Sequence, residues 1–315
     1  MQYAREVIHP VSPQDVSTMA LLRTLVAPMK GKLQGISARE PFNALMEQVV
    51  APAGVTFATN TVGPVGGVWV RPARSQATEA ILHLHGGWFS WGTAHAFRNL
   101  VGHIAARSGT QIFIPDYRLA PEHPFPAALH DVQAAYRGLE MQGVRRIAVT
   151  GDSAGGNLAL VLLGLLNERH APGGVRPAGA VVLSPVTDLT LSGRSYETRA
   201  DADPYFVRAQ VSTLVQAYLG DADPQDPRAS PLFATRLAAL PPLRVHVGDD
   251  EVLLDDSRRF VERAVAAGAD AQLHVWLGMP HGFSNAVGKL EAAAQALDAA
   301  AAFLGERLAS EQADR

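Results

Sequence analysis

The sequence predicts an α/β fold in which a mostly parallel central sheet is flanked by helices. From about residue 80 onward, short β-branched runs alternate with longer helical patterns, which is the order expected of βαβ units. Most of these runs are apolar nearly throughout, as expected for strands that are covered on both faces. The chain has 315 residues, enough to bury a large core in one large domain or in two.

The strands can be placed run by run. Those of the parallel sheet are predicted at residues 80–85, 111–116, 146–151, 179–184, 243–248 and 271–276. Two further runs, at 55–59 and 66–70, flank a turn-rich segment. They predict an antiparallel hairpin at the edge of the sheet.

The intervals between the strands carry helical patterns. Residues 127–141 place their apolar side chains on one stripe, and residues 157–166 are apolar nearly all round, which predicts a buried central helix. A leucine stripe near the C-terminus predicts a helix that packs on the sheet. Asp255 and Asp256 precede a further helical segment and are candidates for its N-cap.

Composition excludes several classes of protein. Hydrophobic residues make up 47% of the chain and charged residues 18%, which is typical of a globular protein and not of a disordered one. The 27 basic and 30 acidic residues give a net charge of -3, which argues against nucleic acid as the main partner. The chain has no cysteine, so a thiol nucleophile and thiolate metal sites are excluded.

The sequence also predicts where the protein works and what it binds. It shows neither a basic start followed by an apolar run nor a stretch long enough to span a membrane, so we expect a cytoplasmic protein without a membrane partner. No metal site or cofactor is predicted, since His9, His95, His123 and His170 lack paired ligand spacing. The oligomeric state cannot be read from the sequence, and a homodimer stays open.

A serine lies at a glycine-rich turn in the middle of the chain. The segment Gly151–Gly156, GDSAGG, falls between the strand at 146–151 and the buried helix. A serine at such a turn projects its hydroxyl from the top of the sheet, and the flanking glycines allow a strained backbone and close helix packing. Ser153 is therefore the candidate nucleophile.

A second glycine turn, HGGW, follows the strand at 80–85. Consecutive glycines let backbone amides approach a ligand oxygen, as an oxyanion hole requires. The expected donors are the amides of Gly86, Gly87 and Ala154. His85 is expected to fix this loop by hydrogen bonding.

The nucleophile needs a base, and the base needs an acid. His281 lies on a Gly/Pro loop after the last strand, where the loops of an open α/β sheet converge on a site, and it is the predicted base. Asp249, Asp250 and Glu251 follow the strand at 243–248. From the residues alone, the acid stays open among these three.

Together these motifs resemble those of the α/β-hydrolase superfamily, in the bacterial hormone-sensitive-lipase-like esterase family. The blocks that carry the resemblance are HGG at 85–87, DYRLAPEHPFPA at 116–127, GDSAGG at 151–156 and PHGF at 280–283. The chain order of serine, acid and histidine agrees with it. The resemblance implies a serine carboxylesterase that cleaves short- to medium-chain acyl esters through an acyl-enzyme. A lactonase or amidase, or a non-catalytic binding protein, are the alternatives.

The resemblance also assigns individual residues. The family's Asp-Pro-Leu-x-Asp block aligns with residues 251–255, which implies Glu251 as the acid, although Glu replaces Asp and Val replaces Pro. Trp88 is a second departure, since relatives commonly have a small residue there. Tyr117, Arg118 and Glu122 are expected to be structural, with an ion pair between Arg118 and Glu122.

Two stretches interrupt the alternation of strands and helices, and the resemblance implies that they form a helical cap. They are residues 1–45 and 187–228, which leaves 46–186 and 229–315 as the α/β-hydrolase core. Trp88, Phe206 and Leu214 are expected to contact the substrate. Further apolar side chains expected to line the pocket are Leu21, Leu22, Leu25, Val211 and Leu219.

Overall fold

The structure is a computed structural model that describes residues 5–168 and 174–310, so His170 and the outermost residues of the expected domains lie outside it. The strands are β1 (Glu6–His9), β2 (Val55–Val62), β3 (Val65–Pro72), β4 (Glu79–Leu84), β5 (Ile112–Pro115), β6 (Arg146–Asp152), β7 (Pro177–Leu183), β8 (Leu243–Gly248) and β9 (Ala271–Trp276). The helices are α1 (Pro13–Val26), α2 (Arg39–Met46), α3 (Ala94–Ser108), α4 (Ala127–Met141), α5 (Ala154–Glu168), α6 (Ser195–Thr198), α7 (Arg208–Leu219), α8 (Leu254–Ala266) and α9 (Glu291–Ala309).

The strands form one sheet in the order β1-β9-β8-β7-β6-β4-β5-β3-β2. Neighbouring strands from β1 to β5 in this order are parallel, whereas β3 pairs antiparallel with both β5 and β2. The predicted α/β fold and the edge hairpin are confirmed. Because β4, β6, β8 and β9 run in the same direction, the loops that follow them emerge at one edge of the sheet.

Helices cover both faces of the sheet. Apolar side chains of α4, α5 and α8 pack on one face, and those of α3 and α9 pack on the other. The apolar character of α5 on all sides follows from its position, since it lies between the sheet and neighbouring helices within the first of these clusters. The predicted central helix and C-terminal helix are therefore confirmed.

Two local expectations are wrong. Residues 6–9 form β1 at the edge of the sheet beside β9, so this part of the first stretch does not belong to a cap. Asp255 and Asp256 do not cap α8, whose N-cap is Leu253; both lie in its first turn. The Asp256 carboxylate accepts hydrogen bonds from the Thr187 and Asp188 amides, and its burial raises its pKa to about 7.

The two interrupting stretches contact each other directly. The Gly31 amide donates to the Tyr205 carbonyl at 2.9 Å, and the Gln210 side chain donates to the Leu33 carbonyl at 2.7 Å. Lys30 Nζ donates to the Ala200 carbonyl at 2.5 Å. Within residues 5–168 and 174–310, no helix has both the length and the apolar character needed to cross a membrane.

Candidate active site

Ser153 lies on a strained and tightly packed turn between β6 and α5. Its φ is 54°, in the left-handed region that non-glycine residues rarely adopt. A Cβ at Gly155 would lie 1.9 Å from the Leu84 carbonyl oxygen, and one at Gly151 would lie 2.5 Å from the Gly155 oxygen. Only glycine fits at these two positions, so the GDSAGG pattern is a packing requirement of this turn.

His281 and Glu251 are hydrogen-bonded to each other. His281 Nδ1 lies 2.7 Å from Glu251 Oε2, and the Glu251 side chain is fully buried. Because a carboxylate only accepts, Nδ1 carries the proton and Nε2 keeps its lone pair. Burial lowers the pKa of His281, but the hydrogen bond and charge of Glu251 outweigh burial and hold that pKa above its ordinary value.

The three candidate acids have different partners. Asp249 Oδ1 accepts from the Gly278 amide at 2.6 Å, and Asp250 Oδ2 accepts from Arg23 Nη2 at 2.6 Å. Of the three, Glu251 is hydrogen-bonded to His281. The geometry therefore agrees with the assignment implied by the family pattern.

The glycines after β4 are also required by close packing. A Cβ at Gly87, where φ is 115°, would lie 2.3 Å from the Trp91 carbonyl oxygen, and one at Gly86 would lie 2.3 Å from Asp152 Oδ2. The Gly86 amide already donates to Asp152 Oδ1 at 3.1 Å. To bind a ligand oxygen, this amide must share or exchange its bond to Asp152.

The glycine turn is braced as expected, but the expected ion pair is wrong. His85 Nδ1 is 2.8 Å from the Gly86 carbonyl, and Tyr117 donates its hydroxyl hydrogen to the His85 carbonyl at 2.6 Å. Arg118 binds Asp131 at 2.8 Å and not Glu122.

Glu122 is instead bound by Arg39, at 2.8 and 2.7 Å. This pairing lowers the pKa of Glu122 to about 2, chiefly through the hydrogen bonds from Arg39. Arg39 Nε also donates to the Ser90 carbonyl at 2.7 Å, in the loop that carries Gly86 and Gly87. Arg39 therefore links the N-terminal stretch to that loop.

Aromatic rings connect His281 to the loop that carries Gly86 and Gly87. The Phe206 ring meets the His281 ring edge-on at 5.1 Å, and it meets the Trp88 ring in the same way at 5.4 Å. Trp88 is 2% exposed, has a φ of 50°, and its buried indole Nε1 has no hydrogen-bond partner. Leu214 belongs to the same apolar cluster as Trp88.

Not every side chain expected at the pocket lies there. Val211 and Leu219 are buried in the cluster that holds Trp88. Leu22 is half-buried and packs on the opposite apolar cluster. Leu21 and Leu25 are 63% and 69% exposed, so the expectation that they line a pocket is wrong. Leu21 and Leu25 lie one turn apart, on a face of α1 that is exposed to solvent.

Three residues that support His281 and Glu251 are not marked as site residues by the sequence. Ser184 Oγ donates to Glu251 Oε1 at 2.7 Å, and the Gly248 amide donates to the same oxygen at 2.7 Å. Buried Asp203 accepts from the Val252 amide at 2.9 Å, and its charge contributes to the raised pKa of His281. Ser184 directly follows a core strand, which is a usable signal, whereas no motif marks Asp203.

In the ranges 5–168 and 174–310, no group of three or more acidic or histidine side chains is arranged to hold a metal ion.

Comparison with known proteins identifies the family of the chain. Residues 81–285 match a family described by its alpha/beta hydrolase fold. An acetyl-hydrolase of Streptomyces hygroscopicus is 38% identical over 246 residues, which cover 78% of this chain and 81% of that protein. An esterase of Acinetobacter venetianus is 38% identical over 67% of this chain and 69% of its own.

Solved structures give the same result. An esterase from the bacterial hormone-sensitive lipase family superposes with a TM-score of 0.86 at 35% identity, over 94% of this chain and 99% of that one. An esterase/lipase from an uncultured bacterium superposes with a TM-score of 0.85 at 36% identity, over 95% of this chain and 100% of that one. The chain belongs to the α/β-hydrolase family, and its resemblance to the hormone-sensitive-lipase-like esterases is confirmed.

Proposed function

We propose that the protein is a serine carboxylesterase that cleaves short- to medium-chain acyl esters. One observation carries the proposal: the 2.7 Å bond between His281 and Glu251 at the sheet edge where Ser153 occupies its strained turn. Relatives described as an acetyl-hydrolase and an esterase support ester cleavage. A nucleophile, a base and an oriented acid are the groups that acyl transfer requires.

In the first half of the proposed reaction, Ser153 Oγ attacks the ester carbonyl carbon while His281 Nε2 takes the hydroxyl proton. Glu251 holds the ring by its other nitrogen and stabilises the imidazolium. The carbonyl oxygen becomes an oxyanion, for which the amides of Gly87 and Ala154 are the proposed donors, joined by Gly86 when it exchanges its bond to Asp152. Each such donor typically contributes about 3 kcal/mol.

In the second half, the tetrahedral intermediate collapses and the carbon–oxygen bond to the leaving alcohol breaks. His281 gives its proton to that alcohol, which leaves an acyl group on Ser153. The neutral imidazole then takes a proton from water, and the hydroxide attacks the acyl carbonyl. Collapse of the second intermediate releases the carboxylic acid and returns the proton to Ser153.

The proposal assigns substrate contact to Trp88, Phe206 and Leu214. Residues 10–45 and 187–228 are proposed to act as the helical cap over Ser153. Support comes from the hydrogen bonds between these two stretches and from the contact of Phe206 with the His281 ring. Substrate choice would then reside in the cap and in Trp88, while the bond-breaking groups reside in the core.

The proposal is tested with p-nitrophenyl esters from acetate to palmitate. We expect wild-type protein to hydrolyse the shorter esters and Ser153→Ala to lose about 10⁴-fold or more of kcat/KM. Ser310→Ala, at an exposed serine that directly follows α9, is the control. Equal rates for Ser153→Ala and wild type would overturn the proposal. Cleavage of lactones or anilides alone, or binding without turnover, would also contradict it.

The proposal includes a cytoplasmic location and a small-molecule ester as the substrate, with neither nucleic acid nor a membrane as partner. Fractionation of the producing cells tests the location, and recovery with the membrane fraction would contradict it. A homodimer is compatible with the proposal, and sedimentation decides between one copy and two.

A further inference from the structure

Arg23, near the end of α1, binds three separate segments of the chain. Its Nη2 lies 2.6 Å from Asp250 Oδ2 and 3.5 Å from the Gly278 carbonyl oxygen. Its Nη1 donates to the Ala202 carbonyl. The side chains of Arg23 and Asp250 are 30% and 27% exposed, so this ion pair is largely withdrawn from solvent.

The three partners of Arg23 flank the groups that the proposed reaction uses. Asp250 directly precedes Glu251, and Gly278 lies three residues before His281. Ala202 precedes Asp203, whose carboxylate accepts from the amide next to Glu251. One guanidinium thus joins the loop of Glu251, the loop of His281 and the second cap stretch, residues 187–228.

The two loops must keep their register for the bond between His281 and Glu251 to persist. They are already linked by the Asp249 carboxylate, which accepts from the Gly278 amide at 2.6 Å, and by the Asp250 amide, which donates to the Met279 carbonyl at 3.1 Å. Arg23 adds a third link from outside both loops. A guanidinium suits this position because its planar fork reaches several acceptors at once, which an ammonium cannot do in the same geometry.

The helix that carries Arg23 is anchored at its other end as well. Asp15, in the first turn of α1, is buried and accepts from the Glu291 and Ala292 amides at 2.8 and 2.9 Å, where α9 begins. A carboxylate at a helix N-terminus is favoured by the helix dipole. Loss of Arg23 therefore removes the links to the two loops while α1 stays docked through Asp15.

We propose that Arg23 is a positioning residue that holds the Glu251 and His281 loops in register, so that docking of the N-terminal helix completes the catalytic geometry. The proposal rests on the proposed function for its kinetic consequences. Its structural consequence, a tightened His281–Glu251 bond, stands without it.

The kinetic test compares Arg23→Met with Lys30→Met. Lys30 makes the matched link, because it also joins the N-terminal stretch to the second cap stretch at Ala200, but it has no bond to Asp250 or Gly278 among those described. With p-nitrophenyl acetate, we expect Arg23→Met to lower kcat about tenfold or more with KM nearly unchanged, as a small misplacement of catalytic groups does. Lys30→Met should change both values less than about threefold.

Two further variants show whether Arg23 acts through the loops. Arg23→Lys keeps the positive charge but lacks the planar guanidinium, so its kcat should lie between those of Arg23→Met and wild type. Asp250→Asn should lower kcat to a similar extent as Arg23→Met, and the double variant should be no worse than either, because both changes break one ion pair. Fully additive losses, equal effects of the Arg23 and Lys30 variants, or a loss confined to KM would overturn the proposal.

A measurement without ester separates failure of this proposal from failure of the proposed function. The proton between His281 Nδ1 and Glu251 gives a downfield proton NMR signal that is identified by its absence in Glu251→Gln. We expect the signal to broaden or vanish in Arg23→Met and to persist in Lys30→Met. An unchanged signal in folded Arg23→Met, judged by circular dichroism, would contradict the positioning role whether or not the protein cleaves esters.

Discussion

The loops at the sheet edge and the two stretches beside them, residues 10–45 and 187–228, are held by different forces. The loops that carry Ser153, Gly86 and Gly87 depend on glycines at which a Cβ would overlap a neighbouring oxygen atom. Long polar side chains hold the stretches: Lys30 joins one stretch to the other, whereas Arg23 and Arg39 join the first stretch to the loops of the core. Close packing tolerates almost no change, whereas partly exposed polar links are individually weaker.

This difference predicts two grades of response to substitution. Changes at the buried sheet edge should remove activity, because no other residue can take up the same position. Changes in the two stretches should alter substrate binding and the finer alignment of the site. The following variants test this division, in order of decreasing expected effect.

The largest effect is expected at Glu251. Glu251→Gln should lower kcat/KM by about 10³-fold or more, because the amide cannot both hold the productive tautomer and stabilise the imidazolium. Asp250→Asn should cost only about tenfold, through the link to Arg23. A much larger loss for Asp250→Asn than for Glu251→Gln would make Asp250 the acid.

The same pair of variants has a predicted pH dependence. His281 acts as a base only when neutral, so kcat/KM should rise with pH through the pKa of His281, which Glu251 holds above the ordinary value. In Glu251→Gln, the raising influence is lost and burial remains, so the midpoint should move to lower pH. A midpoint that moves to higher pH would contradict this assignment.

A smaller effect is expected at Trp88, where the substrate range should change and the chemistry should not. Trp88 is buried beside Phe206, whereas Phe206 and His281 are partly exposed. Trp88→Gly relieves the positive φ and opens space, so the ratio of octanoate to acetate kcat/KM should rise at least about tenfold. Trp69→Phe, on β3 against Phe113, is the control. An unchanged ratio would remove Trp88 from the pocket.

The smallest effect is expected at Arg39. Arg39→Gln removes the pairing with Glu122 and the bond to Ser90, and should raise KM about two- to fivefold with kcat nearly unchanged, since the Glu122 partner is exposed. Arg118→Gln breaks an equivalent ion pair with Asp131, and both of these residues lie in the 46–186 segment outside the two stretches. This variant should leave KM unchanged. A fall in kcat for Arg39→Gln would mean that Arg39 aligns the catalytic groups, and the prediction would be wrong.

How much of the site could be predicted follows the same division. Ser153, Gly86 and Gly87 can be picked out from the sequence because the signal is local: each lies at a turn whose close packing requires glycine. Glu251 was assigned through the family pattern, as the residues alone left three acids open. Close sequence spacing identifies a loop but does not say which of its carboxylates points at a histidine 30 residues later.

The remaining features depend on contacts between distant segments. Arg23 and Asp250 are 227 positions apart, and neither lies in a motif. Arg118 was expected to pair with the nearby Glu122, but Arg39 binds Glu122 from a helix 83 residues away. An amphipathic stripe does not show which of its apolar side chains meet the core, so the exposure of Leu21 and Leu25 could not be foreseen.

The most direct measurement of the central claim is covalent labelling of wild-type protein with a fluorophosphonate, followed by peptide mass spectrometry. The account predicts one phosphonyl group on the peptide that contains Ser153, and none in Ser153→Ala. It also predicts much slower labelling in Glu251→Gln, since the base that activates the hydroxyl loses its orienting partner. Folded wild-type protein that stays unlabelled, or that is labelled at another serine, would contradict the account.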